Sequence, residues 1–155
     1  LGDTASDFGG SLYLKELFNE TSGVLGKIDY KKELALWDIV IKANEQNLLE
    51  SSKDLSSGGL ALALAKMVAI SDFGVNVKID LGDSENIFSE SFSRAVVEVK
   101  PENKASFEDM INGLSCVQIG TVTLNKFVCN DVSMESEALR EVFFNTFEQE
   151  INKDI

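Results

Sequence analysis

Ser56-Ser57-Gly58-Gly59-Leu60-Ala61-Leu62-Ala63-Leu64-Ala65-Lys66-Met67-Val68-Ala69-Ile70 is the stretch that decides the fold. From Leu60 to Ile70 only Lys66 interrupts the apolar run, so a helix here must be buried almost all round. Two hydroxyls and two glycines at its start leave several backbone N–H groups without intrahelical partners, and the partial positive charge of the helix end adds to them. That combination suits a phosphate. It suits equally a Ser cap followed by glycines that let the helix start pack against a neighbour.

A helix apolar on every side needs cover, and the flanking segments supply it. Residues 11–20 place Leu12, Leu14, Leu17 and Phe18 among polar residues, a short helix begun from Phe8-Gly9-Gly10. Residues 21–27, with Gly23 and Gly26, form a loop. Asp29 caps a helix to about Asn47, with Leu34, Trp37 and Ile41, and then Leu48, on its inward face. Residues 49–55 make a brief strand into the glycine turn. Beyond the central helix, residues 75–81 alternate strictly and predict a strand with one wet face. A polar connection over 81–89 tucks Ile87 and Phe88 back, and 94–100 forms another strand. Pro101 suits the first turn of a helix over 102–112, ended by Gly113. Residues 117–122 and 126–132 predict a hairpin around Leu124-Asn125. Ser133 caps a last helix over 135–151, with Leu139, Val142, Phe143, Phe147 and Ile151 inward. Strands and helices interleave without regular βαβ alternation, which predicts an α+β fold, a mixed sheet covered by helices, as one domain over 1–155.

The net charge is −12, from 26 acidic and 14 basic side chains. Such a surface repels nucleic acid and anionic lipid, so neither is expected as a partner. An anionic ligand would need a local exception, such as a helix N-terminus, Arg94 or a bridging Mg²⁺. The chain has no histidine, which excludes Ser-His-Asp and Cys-His catalysis and imidazole metal sites within it. Cys116 and Cys129 fall in strand-like runs and are expected as two buried thiols of a reducing compartment. No signal peptide or stop-transfer segment is visible, so a cytoplasmic protein is expected. The start at Leu1-Gly2-Asp3 rather than Met leads us to expect a piece of something longer.

The run from Asp54 to Ala65 resembles the Asp-hydrophobic-Ser-acidic-Gly-Gly-Leu-Ala segment in C-terminal domains of the aminoimidazole ribonucleotide (AIR) synthetase superfamily. Asp7-Phe8-Gly9-Gly10-Ser11-Leu12-Tyr13-Leu14-Lys15 resembles the Gly-Gly-Ser-Glu-Tyr-Leu opening of phosphoribosylformylglycinamidine synthase II (PurL). Ile87-Phe88-Ser89-Glu90-Ser91-Phe92-Ser93-Arg94 is similar to its Phe-x-Glu-Ser-x-x-Arg turn and strand. Val99-Lys100-Pro101-Glu102-Asn103 and Ile119-Gly120-Thr121-Val122-Thr123 resemble later landmarks. The resemblance covers nearly the whole chain and implies a PurM/AIR-synthetase-like C-terminal domain, the last of such domains in a larger ligase. That ligase family converts formylglycinamide ribonucleotide to the amidine with ATP, Mg²⁺ and ammonia, the ammonia coming from the glutaminase PurQ with the accessory protein PurS. The resemblance places the catalytic histidine and main metal ligands in N-terminal domains, so no catalytic or metal-binding residue is expected in this chain. Lys53 stands where the family usually has His, Ser57 where it has an acidic residue, Leu12 where it has Glu, and Phe92 where the substrate-contacting copy has Gln. A phenyl ring cannot make that Gln's hydrogen bonds.

From the family pattern, Gly9, Gly10, Ser11, Ser56, Gly58 and Gly59 are the candidate nucleotide- or phosphate-binding residues, and Glu90, Ser91 and Arg94 the candidate substrate residues. Each has a plainer reading: loop-to-helix turns for the glycine sites, an ion pair at a strand start for Glu90 and Arg94. Asp80, Asp83 and Glu85 could hold Mg²⁺ through waters or form a solvated loop. A second class of function treats the chain as a structural docking module of such an enzyme; another superfamily member, selenophosphate synthetase or HypE, is the remaining alternative. Apolar surface left where a neighbouring domain belongs would let the fragment dimerise.

Overall fold

The computed structural model describes residues 1–111 and 113–152. The chain forms two compact units, Leu1–Ala63 with Leu81–Val117 in the first, and Leu64–Asp80 with the segment from Gln118 on in the second. The architecture is α+β, with the strands divided between a two-stranded ladder and a four-stranded mixed sheet. No helix among the described residues is long and apolar enough to cross a membrane.

In the first unit, Ser11 caps α1 (Leu12–Phe18) by accepting from the Leu14 N–H, and Asp29 caps α2 (Tyr30–Glu45) by accepting from Lys31 and Lys32. The face that α2 buries is Leu36, Val40 and Ala43, whereas Leu34, Trp37 and Ile41, expected inward, are exposed. The helix carries two apolar stripes. The one with the smaller side chains won, since Ala43 admits Leu48, Phe107 and Ile111, and Leu36 and Val40 gather around Ala95. β1 (Leu49–Asp54) pairs antiparallel with β3 (Ala95–Val99), Asp54 opposite Ala95 and Leu49 opposite Val99, with a bulge near Ser51. Pro101 opens a single 3₁₀ turn, and the following helix is shorter than expected: α4 covers Lys104–Met110. Asn112, its expected end, lies outside the described residues.

α3 (Gly59–Ala69) buries Leu60, Ala63, Leu64, Val68 and Ala69, as its apolar sequence requires. In the second unit, β2 (Phe73–Val77) ends short of the expected Leu81 because the Asn130 side chain takes over as its neighbour. Asn130 Oδ1 accepts from Ile79 N at 2.8 Å, and Nδ2 donates to Ile79 O at 3.0 Å. The expected hairpin is not formed. β4 (Gly120–Leu124) and β5 (Lys126–Cys129) are joined by Asn125 alone, yet β2 lies between them, antiparallel to β4 and parallel to β5. Two glycines make this possible. A Cβ on Gly74 would fall on the Lys126 main chain, and one on Gly120 would fall on Asn76 and Val77. Asn125 supplies the sharp turn at φ 60°.

The hairpin that does form joins β5 to β6 (Val132–Glu135), so Ser133 is a strand residue and α5 (Ser136–Asn152) starts later than expected. Val142, Phe143 and Ile151 are exposed rather than inward, because α5 packs chiefly on the adjoining β6. The Phe147 side chain lies outside the described residues. Cys129 is buried in β5, and burial pushes its thiol pKa up. Cys116, expected in a strand and buried, is exposed in a segment without regular structure, since the strand starts only at Gly120.

Candidate functional site at the glycine turns

The three sequence-remote motifs meet in the first unit, on the side chain of Glu90. Its Oε1 accepts from the Leu12 N–H at 2.8 Å and from the Gly58 N–H at 2.8 Å, the starts of α1 and α3. These are the N–H groups that a phosphate at either turn would seek. The backbone itself requires the glycines. Gly58 and Gly59 have φ of +80° and +59°, and a Cβ on Gly59 would press on the carbonyls of Ser89 and, at 2.8 Å, Ile87. Gly10 has φ +67° and donates its N–H to Ser22 O at 3.0 Å, while a Cβ on Gly9 would strike the Val24 main chain. Ser11 is wholly buried, and its hydroxyl makes the capping bond to α1. Ser56 is exposed, and its carbonyl accepts from Gly59 N at 2.9 Å.

Arg94 is 3% exposed, and its guanidinium is taken up by neighbouring acceptors. Nε donates to Ser91 O at 2.9 Å, Nη2 to Ser89 O at 2.6 Å and Nη1 to Thr4 Oγ1 at 3.2 Å. Burial lowers its pKa, against the pull of the Asp7 carboxylate. Among the described residues, the expected ion pair with Glu90 is therefore not formed. The Ser91 hydroxyl accepts from Ala5 N at 3.2 Å. Phe92 is 43% exposed.

Sequence reasoning missed Ser89, Asn86 and Thr4. The fully buried Ser89 hydroxyl donates to Ala5 O and accepts from the N–H groups of Asp7 and Ser91. Asn86 accepts from the Ser6 hydroxyl at 2.8 Å and donates to Leu81 O at 3.0 Å. The available signal was the run Ser89-Glu90-Ser91-Phe92-Ser93, whose spacing gives every second residue a hydroxyl. Tyr13 stacks on Phe88 with centroids 5.3 Å apart, and Phe8 stands 5.4 Å from Tyr13. No group of three or more His, Cys, Asp or Glu among the described residues could hold a metal ion. As arranged, the cluster fixes three turns against one another, and its best anion donors already hold a carboxylate.

Residues 1–128 match the family described as AIR synthase related protein, C-terminal domain. The chain belongs to that family. Over its whole length it is 50% identical across 155 residues to the phosphoribosylformylglycinamidine synthase subunit PurL of Sulfurimonas denitrificans, and 49% identical across 157 residues to that of Nitratiruptor sp.. It spans 21% of each, about a fifth of these relatives. The fold is similar to that of Thermotoga maritima PurL complexed with FGAR, at TM-score 0.70, 21% identity, and 90% of this chain against 26% of that one. It is likewise similar to the T. maritima PurL complexed with ATP (TM-score 0.66, 19% identity, 90% and 24% covered) and to the T. maritima PurLQS structure (0.64, 19%, 90% and 27%). In this AIR-synthase-related domain the α+β fold is the shared feature, and the family's matched part ends within β5, ahead of β6 and α5.

Proposed function

We propose that residues 1–155 are one C-terminal domain of a PurL-type ligase, which converts formylglycinamide ribonucleotide to formylglycinamidine ribonucleotide with ATP and glutamine-derived ammonia in the cytoplasm. The observation that carries this is identity of 50% over the whole chain to a protein named PurL of which it would form about a fifth. ATP and Mg²⁺ would be held mainly by N-terminal domains of the same enzyme, and PurQ and PurS would be its partners, which the likeness to the PurLQS structure supports. Within that enzyme, Gly9, Gly10, Ser11, Ser56, Gly58 and Gly59, with Glu90, Ser91 and Arg94, would shape one wall of a cleft that other domains complete. The occupation of Leu12 N–H and Gly58 N–H by Glu90 favours the reading in which this wall is structural and carries no nucleotide. Tyr30, Leu34, Trp37 and Ile41, exposed along one side of α2, support a docking role. The full-length polypeptide is expected to form the amidine only with ATP and an ammonia source, and residues 1–155 alone to form none. A full-length protein that releases no ADP in response to formylglycinamide ribonucleotide overturns the proposal.

A further inference from the structure

We propose that Glu90 is a tethered anion: its carboxylate takes the place of a phosphate oxygen between the two glycine turns, locks them together, and makes this domain refuse phosphate there. One oxygen, Oε1, receives N–H groups that lie 78 and 32 positions away in the chain, both at 2.8 Å. Charge-assisted bonds of this kind are about twice as strong as neutral ones. Both donors stand at helix starts, where the backbone dipoles favour negative charge.

Three features make the carboxylate a better occupant than a free anion. First, its own segment is held in place: Glu90 N donates to Asp7 O at 3.0 Å, and the flanking Ser89 and Ser91 carbonyls are pinned by Arg94. A group fixed beside its donors acts at high effective concentration, which free phosphate must outcompete. Second, Arg94, the buried cation nearest to hand in this cluster, gives Nε and Nη2 to carbonyls and Nη1 to Thr4, so these donors are already engaged and are not aimed at an incoming phosphate. Third, the chain's net charge of −12 opposes capture of a free anion from solution and cannot expel one that is covalently attached. The inference concerns these two turns and holds whichever reaction the whole enzyme performs.

Hydrogen–deuterium exchange of the full-length protein, read by mass spectrometry over residues 10–18 and 56–62, tests it with inorganic phosphate and formate as probes. In the wild type, neither segment should change its exchange at saturating phosphate. In Glu90→Ala both segments should exchange about tenfold faster, the loss expected for a charge-assisted hydrogen bond, and formate or phosphate should restore protection in both together. If Glu90→Ala does not fold, Glu90→Gln decides: it keeps an acceptor oxygen without charge, so both segments should exchange faster with no response to phosphate. Protection of wild-type segments by phosphate, a loss confined to one segment, failure of formate to rescue Glu90→Ala, or wild-type exchange in Glu90→Gln would each overturn the proposal.

Discussion

In the unit that contains Glu90, chain segments far apart in sequence are brought together by buried and half-buried side chains. Ser89, Glu90 and Arg94 each reach main-chain groups of other turns, while main chains meet closely at a few glycines, Gly2 against Ser93, Gly9 against Val24 and Gly59 against Ser89. In the unit that contains β2, the backbones touch directly, with Gly74 under Lys126 and Gly120 against Asn76. The first arrangement depends on polar atoms, which a shortened side chain leaves unpaired; the second depends on empty space, which any added carbon fills. The two units should therefore fail under different kinds of substitution.

The largest effect is expected where space is the requirement. Gly74→Val puts a branched side chain onto the Lys126 main chain and should cost ~3 kcal/mol or more, read as a collapse of the thermal transition. A normal melting temperature for that variant would show that β4 and β5 do not straddle β2. Next, Leu36→Ala should cost about 3 kcal/mol, because Leu36 is fully buried, whereas Trp37→Ala should change stability by no more than about 0.5 kcal/mol in residues 1–155 alone. Urea titration of the pair decides which stripe of α2 faces the core. Arg94→Met keeps the bulk but leaves the Ser89 and Ser91 carbonyls unpaired, for about 2 kcal/mol. Arg94→Lys should recover little of it, since one ammonium cannot span the directions that the guanidinium fork serves.

Smaller effects sharpen the same contrast. Iodoacetamide at neutral pH should label Cys116 and spare Cys129, whose thiol is buried and pushed up in pKa. Peptide mass mapping that finds Cys129 labelled in the folded chain would place β5 at the surface. On the rim of the first unit, the bond from Lys53 holds the Asp54 pKa below its usual 3.8. Its contribution is present above that pH and is lost as pH falls through the lower, folded value. Asp54→Asn should therefore flatten the stability curve only on its acid limb, visible as a smaller drop in melting temperature below about pH 4.

Element types were legible wherever local pattern decided them. The apolar run of α3, the Asp29 cap of α2 and the strands at 49–54 and 95–99 all follow from residues within one or two turns. What local pattern could not supply was choice among partners. Val122 and Phe127 look like hairpin neighbours in sequence, but β2 separates them, and only the bare Cα positions of Gly74 and Gly120 hint at it. On α2, the larger side chains of the 34–37–41 stripe pointed the wrong way, because tight packing around Ala43 outweighs the size of what is buried. At the candidate site, the glycines and Glu90 were all visible as motifs. That a carboxylate from one motif would satisfy the N–H groups of the other two is a fact of tertiary geometry, with no trace in the spacing within any one of them.

The placement of β2 between β4 and β5 also sets an order of events during synthesis. β2 leaves the ribosome about forty residues before β4 and about fifty before its parallel neighbour β5, so until Gly120 follows neither of its edges has a strand to bond. Closing such distant pairings is slow compared with forming local ones. Nascent chains halted just before Gly120 should therefore be open to proteases around Phe73–Val77, and those extended through Cys129, with a strand for each edge of β2, should be resistant.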